Sequence, residues 1–372
     1  MSPPRVRIVA LTAAPLSVPL REPFVIASGR VDATRAALVT AALEDEAGRR
    51  AEGIGEAAAL PPVTREDQPD LLRALAAARG ALEGSWLDDP AAFETTLEAG
   101  LGDAGAGAPV RAGVASAVLD AWARLADVPL ARLCGADPAA SPPALETDIT
   151  LPIAPPAHMA ALAAGHRAAG FRAFKVKIGR DFRADHAALR AVRDAVPDAR
   201  FRLDANAGFR AADALALLEL ALGDGLALDC FEQPCARDDL AGMAEVTARS
   251  PIPVVADESF RSGPDLDRLL GARAAHGVNL KLAKLGGPLA AVALGQRARG
   301  AGLLLMAGAM VETRLGLTAM AHVVAALGGV EWVDLDTAFL LASDPFAGGY
   351  SASGATLTLT GGPGLDVAIA RA

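Results

Sequence analysis

The chain has 372 residues, with 35 Lys plus Arg against 44 Asp plus Glu, a net charge of −9. With 52% hydrophobic and 21% charged residues it is too apolar for wholesale disorder. Its acidity argues against a general nucleic-acid binder, and its length admits one large barrel or two domains.

Residues 5–15, 36–43 and 50–56 read as strands, separated by turn chemistry such as Asp45-Glu46-Ala47-Gly48. Arg5 and Arg7 ahead of the apolar stretch 8–20 could pass for a signal peptide. Pro15 and Pro19 interrupt that stretch, and the alternation around Val6 and Ile8 is that of a strand. A mature cytoplasmic start is expected. Residues 67–83 and 110–127 have helical spacing. Strands followed by helices suggest a small α+β domain. Gly105-Ala106-Gly107 lacks both a preceding strand and a following Lys-Ser/Thr, so it reads as a turn.

From about residue 145 the rhythm changes. Strand-type runs at 147–152, 174–178, 201–204, 228–232, 253–257, 278–282, 303–306 and 331–335 alternate with helical segments such as 181–196, 211–222 and 289–300. Eight alternations predict an α/β fold, a (β/α)8 barrel or one modified at its start. The tail is Gly-rich and strand-like. The expected division is a capping domain over 1–127, a (β/α)7–8 barrel over 128–342 and a segment over 343–372 that returns to the cap. No run of apolar residues is long enough to span a membrane.

Three cysteines, Cys134, Cys230 and Cys235, are too few for a disulfide scaffold and fit a reducing compartment. The five histidines are scattered, so carboxylates must carry any metal, and that favours a hard ion such as Mg²⁺ over zinc.

Barrel enzymes carry their active groups at the C-terminal ends of the strands. Asp204, Glu232 and Asp257 end the third, fourth and fifth predicted strands. Three carboxylates in register repel unless a cation sits among them, which predicts a Mg²⁺ site. The bland alternative for each one is a helix cap. Lys175 and Lys177 share one strand face, where mutual repulsion is expected to lower their pKa. Lys281, from the sixth strand, faces Lys177 across the mouth. Two lysines on opposite sides of one bound substrate suit removal of a proton α to a carboxylate and its return to the other face. Lys284 reads as a solvated surface charge. Asp334 and Asp336 form a pair at the eighth strand and invite a substrate ammonium, with Thr337 free to serve the helix cap instead.

Taken together, Phe174-Lys175-Val176-Lys177-Ile178-Gly179, Leu203-Asp204-Ala205-Asn206, Phe231-Glu232-Gln233-Pro234, Ala256-Asp257-Glu258-Ser259, Asn279-Leu280-Lys281-Leu282-Ala283-Lys284, Met310-Val311-Glu312-Thr313 and Asp334-Leu335-Asp336 are recognisable. The chain resembles the enolase superfamily, muconate lactonizing enzyme subgroup, and within it the dipeptide epimerases. The resemblance covers residues 5–368. It implies Asp204, Glu232 and Asp257 as Mg²⁺ ligands and Lys177 and Lys281 as the acid/base pair. Lys175 supports the substrate carboxylate, and Asp334 and Asp336 bind the dipeptide's ammonium. It further implies an isomerase that inverts the C-terminal α-carbon of an L,L-dipeptide through a metal-stabilised enediolate. The superfamily's pairing of a lysine base with Mg²⁺ is general knowledge of its chemistry. Capping loops near 24–30 and 56–61 are expected to close over the substrate. Relatives that prefer a C-terminal Glu carry an Arg after Pro-Phe in the first of these loops. Here Gly29 stands there and Arg30 comes one place later, so Arg30 is the side-chain candidate and the preferred dipeptide stays open. Rival readings on the same lysines are N-succinylamino acid racemase, o-succinylbenzoate synthase and a muconate-type cycloisomerase; a binding barrel without catalysis is of another class. The implied partner is a small-molecule dipeptide, with neither nucleic acid nor membrane. Assembly as a homo-oligomer is left open.

Overall fold

The computed structural model describes residues 3–61, 63–102, 106–137, 139 and 144–370. The N-terminal part is a four-stranded antiparallel sheet in the order Arg50–Ala59, Arg35–Asp45, Val6–Leu16, Trp86–Leu87. The strand Arg35–Asp45 alternates buried and half-buried positions, the period of two that one covered face demands. The predicted turn at Asp45 forms because Asp45 Oδ1 accepts from the backbone N–H of Ala47 and Arg49. Helix Ala108–Leu125 covers the sheet at very short range. A Cβ on Gly53 would lie 2.2 Å from the Ala121 nitrogen, so only glycine allows this approach. Helix Gln68–Leu82 starts at Asp67, where Asp67 and Asp70 cap it reciprocally.

A hairpin of Pro19–Ile26 and Gly29–Ala33 escaped the sequence reading. Its pairing skips residues between Pro19 and Phe24, which breaks the simple alternation. It is pinned to the barrel rim: Ala342 N–H donates to Pro19 O at 2.8 Å and Ile153 N–H to Val25 O at 2.9 Å. Helix Pro90–Gly102 was also missed, although Pro90, Phe93, Leu97 and Leu101 recur at helical spacing and form its buried face.

Eight parallel strands form the second part: Ile149–Leu151, Ala173–Lys177, Arg200–Asp204, Leu228–Glu232, Val254–Ala256, Gly277–Leu280, Leu304–Gly308 and Trp332–Asp334. Neighbours in sequence are neighbours in the sheet throughout. The ring closes between its last and first strands through a Thr147–Val333 bridge and an Asp148 N–H bond to Val333 O at 3.1 Å. The expected α/β barrel with an N-terminal α+β domain is what the chain forms.

The tail strand Tyr350–Ser353 pairs with Thr356–Leu359, which in turn pairs with Ala144–Glu146 ahead of the barrel. Further on, Leu365 N–H donates to Asp120 Oδ1 and Arg124 Nη2 to Val367 O, both on helix Ala108–Leu125. The three cysteines are free and buried. Ala106 and Gly107 carry no assigned turn and lead, through an extended Gly107, into helix Ala108–Leu125, while Gly105 lies outside the described residues. No helix among the described residues is long and apolar enough to cross a membrane.

Candidate active site

Parallel register builds the site at the C-terminal ends of the strands. Lys177 lies opposite Asp204, and Asp204 opposite Glu232. Glu232 is opposite Val255, and Asp257 follows two residues later, hence on the same inward face. Asp204, Glu232 and Asp257 are buried at 0%, 0% and 1% exposure, too deep to be tolerated without charge partners.

The lysines supply them. Lys175 Nζ lies 2.7 Å from both Glu232 Oε2 and Asp334 Oδ2, and 3.0 Å from Asp204 Oδ2. Lys177 Nζ donates to Asp204 Oδ2 at 2.5 Å and Lys281 Nζ to Asp257 Oδ2 at 2.9 Å. Glu232 Oε1 accepts from Asn279 Nδ2 at 2.8 Å. Glu232 Oε2, although close to Lys175, is off the hydrogen-bond direction and has no hydrogen bond among the described residues. Gly308 makes room for this arrangement, because a Cβ there would press on Asn279 at 2.7 Å and on Lys281 Cε at 3.1 Å.

Burial works to raise the pKa of Asp204 and Asp257. Lys177 and Lys175 on the one, and Lys281 and Lys284 on the other, outweigh it and hold both below the usual carboxylate range. For Glu232, burial and Asp204 prevail and its pKa is raised. The expected lowering of Lys175 is not found. Burial pushes its pKa down, but Asp334, Glu232 and Asp204 hold it well above the ordinary value. Lys281 is likewise held up by Asp257 against its burial. For Lys175 and Lys281 the facing carboxylates thus outweigh both burial and the neighbouring cations.

Lys175, Lys177, Lys281, Asp257, Asp334 and Asp336 line one pocket, roofed by Phe24, Ile26, Leu60 and Val63. The cap thus covers the lysines with apolar side chains. Residues 158–372 match the family described as enolase C-terminal domain-like. The chain is 38% identical to the L-Ala-D/L-amino acid epimerase of Populus trichocarpa, over 94% of this chain and 82% of that one. The chain belongs to the enolase superfamily, in the family of the dipeptide epimerases. The liganded L-Ala-D/L-Glu epimerase of Bacillus subtilis superposes with a TM-score of 0.90 at 32% identity, covering 98% of this chain and 100% of that one. The dipeptide epimerase of Enterococcus faecalis V583, complexed with Mg and L-Leu-L-Tyr, gives 0.88 at 31% identity over 97% and 99%.

Within this epimerase-family chain, one residue is corrected outright. Lys284 is no surface charge: it is 5% exposed and its Nζ donates to Asp257 Oδ1, to Asp257 O at 2.8 Å and to Asn279 O at 3.0 Å. The short helix Leu282–Leu285 after the sixth strand turns it inward beside Lys281. Arg30 takes the opposite course. Its side chain is 61% exposed, pairs with Asp32 and lines a separate surface cleft with Arg35 and Asp67. Thr337 does not serve as a helix cap: its hydroxyl donates to Glu312 O and accepts from Glu312 N–H.

The sequence reading also missed residues that hold the three buried carboxylates in place. Gln233 Oε1 accepts from Asp257 N–H at 2.9 Å and so ties the fifth strand's carboxylate to the fourth strand. Gln233, Asn206 and Ala207 all have positive φ, strain of the kind that clusters at functional sites. The motif positions of Asn206 and Gln233 were the only signal in the sequence. Glu56, from the cap, meets Glu312 at the barrel rim. It accepts from Thr313 Oγ1 at 2.6 Å and from the N–H groups of Thr313 and Gly316 at 3.1 Å. Burial, then the Glu312 charge, pushes the Glu56 pKa up to about 8; burial pushes Glu312 up to about 7.

Proposed function

We propose that this chain is a Mg²⁺-dependent dipeptide epimerase that inverts the α-carbon of the C-terminal residue, with Lys177 and Lys281 as the two acid/base groups. The observation that carries it is one pocket holding both lysines, from the second and sixth of eight strands, together with Asp334 and Asp336. Asp204, Glu232 and Asp257 fit a hard divalent ion, as three buried carboxylates on adjacent strands, one with an oxygen lacking a hydrogen bond. Such an ion, when bound, supplies positive charge that stabilises the dianion formed on proton loss.

In this reading Lys177 Nζ and Lys281 Nζ address opposite faces of the substrate α-carbon. The neutral amine takes the proton, and the ammonium on the other side returns one, so the centre inverts. Lys175 supports the substrate carboxylate. Asp334 and Asp336 hold the ammonium of the first residue. That pair disfavours the rival N-succinyl substrates, which carry an acid in place of an ammonium. Phe24, Ile26 and Leu60 keep water out and favour an apolar C-terminal side chain, since Arg30 lines another cleft. The same reading divides the chain into a cap over 1–127, a barrel over 128–342 and a returning segment over 343–372.

The test is a dipeptide library incubated in D₂O with Mg²⁺ and followed by mass spectrometry. One deuterium is expected in L,L-dipeptides with apolar C-terminal residues. Absence of exchange in every dipeptide would end the proposal, and preferential exchange in N-succinylamino acids would replace it with the racemase reading.

A further inference from the structure

Just below the mouth lies a charge arrangement that the two-lysine chemistry does not use. Asp148, Asp334 and Asp336 each offer a carboxylate oxygen within 4.8 Å of the other two, and all three residues are buried. Their partners are few. Arg202 Nη1 donates to Asp148 Oδ2 at 2.7 Å, Lys175 Nζ to Asp334 Oδ2 at 2.7 Å, and the Thr150 N–H to Asp336 Oδ2 at 2.5 Å. Among the described residues, Asp148 Oδ1 and Asp336 Oδ1 have no hydrogen-bond partner. Unpaired buried acceptors are costly enough that each calls for an explanation.

The balance of charge gives one. Three carboxylates meet two cations, and both cations are shared: Lys175 with Asp204 and Glu232, Arg202 with Asp229 at 3.6 Å. The trio is at least one positive charge short. Burial and the neighbouring Asp334 push the Asp336 pKa up to about 6 and that of Asp148 well above the usual range, the direction such a shortfall imposes. Asp334, Asp336 and Thr150 line the pocket. Asp148 precedes Thr150 by two residues on the extended chain, so it shares the inward face one layer deeper. A primary ammonium, with one charge and three donors, matches the shortfall and the free acceptors.

We infer that Asp148 is a positioning residue for ammonium recognition, the third carboxylate of an anionic nest whose upper members, Asp334 and Asp336, meet the free N-terminus of the substrate. This rests on the dipeptide reading proposed above. Asp148 acts through its neighbours, and Arg202 on its other oxygen limits the excess negative charge to what one ammonium can balance. The nest selects for free α-amines and against N-acylated amino acids of the same side chain.

The test compares the Michaelis constant of an L,L-dipeptide with the inhibition constant of its N-acetyl counterpart. It uses Asp148→Asn, Arg202→Gln, the double variant and Asp336→Asn. Asp148→Asn removes one negative charge and is expected to raise KM for the dipeptide about tenfold, on the scale of a partly screened charge interaction. The turnover number and the N-acetyl inhibition constant should move less than about threefold, because neither depends on the ammonium site. The double variant restores the net charge and should recover most of the selectivity. Arg202→Gln alone should exceed it, and this pair decides the matter even if Asp148→Asn fails to fold. Equal losses for both ligands, or a double variant no more selective than Asp148→Asn, would make Asp148 merely structural. If Asp336→Asn itself fails to separate the two ligands, the ammonium reading falls, and the role of Asp148 with it.

Discussion

Buried carboxylates meet two different fates in this molecule. At the barrel mouth, Asp204, Asp257 and Asp334 lie within reach of lysines and are held ionised, their pKa values lowered in spite of burial. At the seam between cap and barrel, Glu56 and Glu312 come together where backbone N–H groups and the Thr313 hydroxyl are the partners. A Cβ on Gly316 would lie 2.1 Å from Glu312 Oε2 and 3.1 Å from Glu56 Oε2, which shows how closely the two carboxyls crowd one spot. Their pKa values rise to about 8 and about 7. For these five carboxyls depth is similar, and the sign is set by whether nearby lysines outweigh burial; Glu232, with Asp204 beside it, is raised in spite of Lys175. At the mouth the lysines favour the charged forms, and at the seam burial favours the protonated ones.

The largest expected effect breaks the mouth. Lys281→Ala should lower epimerisation of an L,L-dipeptide by a factor of about 10² to 10⁴, the range for one acid/base group. Exchange of the α-proton by Lys177 on one face can persist. Epimerisation at the wild-type rate, followed by NMR of the diastereomers, would remove Lys281 from the mechanism.

Next comes the residue that sequence reasoning placed at the surface. Lys284→Met leaves Asp257 with one fewer cation and two backbone carbonyls without their donor. Breaking a buried pair from one side costs about 3 kcal/mol or more, to be read from urea denaturation. A loss as small as that of a surface charge would contradict its burial.

The seam predicts a pH dependence of opposite sign to the mouth. Glu56 and Glu312 bind protons more tightly folded than unfolded, so their contribution is complete below about pH 4.5 and is lost as pH rises towards about 8. The mouth carboxylates, with lowered values, contribute above the unfolded carboxylate range and lose that contribution as pH falls through and below it. Between pH 6 and 8 the folding free energy should therefore fall by about 1 kcal/mol per pH unit for each retained proton. Thermal melts of Glu312→Gln should show a flatter alkaline limb. An unchanged limb would mean that the pair does not hold a proton.

The smallest effect is expected at Arg30. Its exposed pair with Asp32 lies outside the pocket, and Arg30→Ala should change kcat/KM for any dipeptide less than about twofold. A selective loss with a C-terminal Glu substrate would restore its role in choosing the side chain.

How much of this was legible varies with the physics. Strand ends recur at the barrel period, so the placement of Asp204, Glu232 and Asp257 on adjacent strands could be read from spacing alone. The helical stretch after Asp181 was equally plain, since its apolar face repeats at helical spacing and Asp181 caps it. Lys284 was not legible. Three residues past Lys281, it turns inward because a helix of four residues follows the strand, and no periodicity announces so short an element. The hairpin that carries Phe24 and Ile26 over the mouth was hidden by its irregular register. Asp148, Glu56 and Glu312 belong to no common stretch of sequence. Asp148 became meaningful only beside Asp334 and Asp336 at the far end of the barrel sequence, and Glu56 only beside Thr313, 257 residues away across the domain seam.

The sequence by itself determined the fold class, the carboxylates that face the mouth and the two lysines from opposite strands, because period and strand order are local properties that close into a ring in one way. Only the tertiary structure decided which charges neutralise one another. That choice depends on distances across the barrel and between the domains, and a displacement of one side chain by a few ångströms converts a lysine from solvent to core or a carboxyl from ionised to protonated.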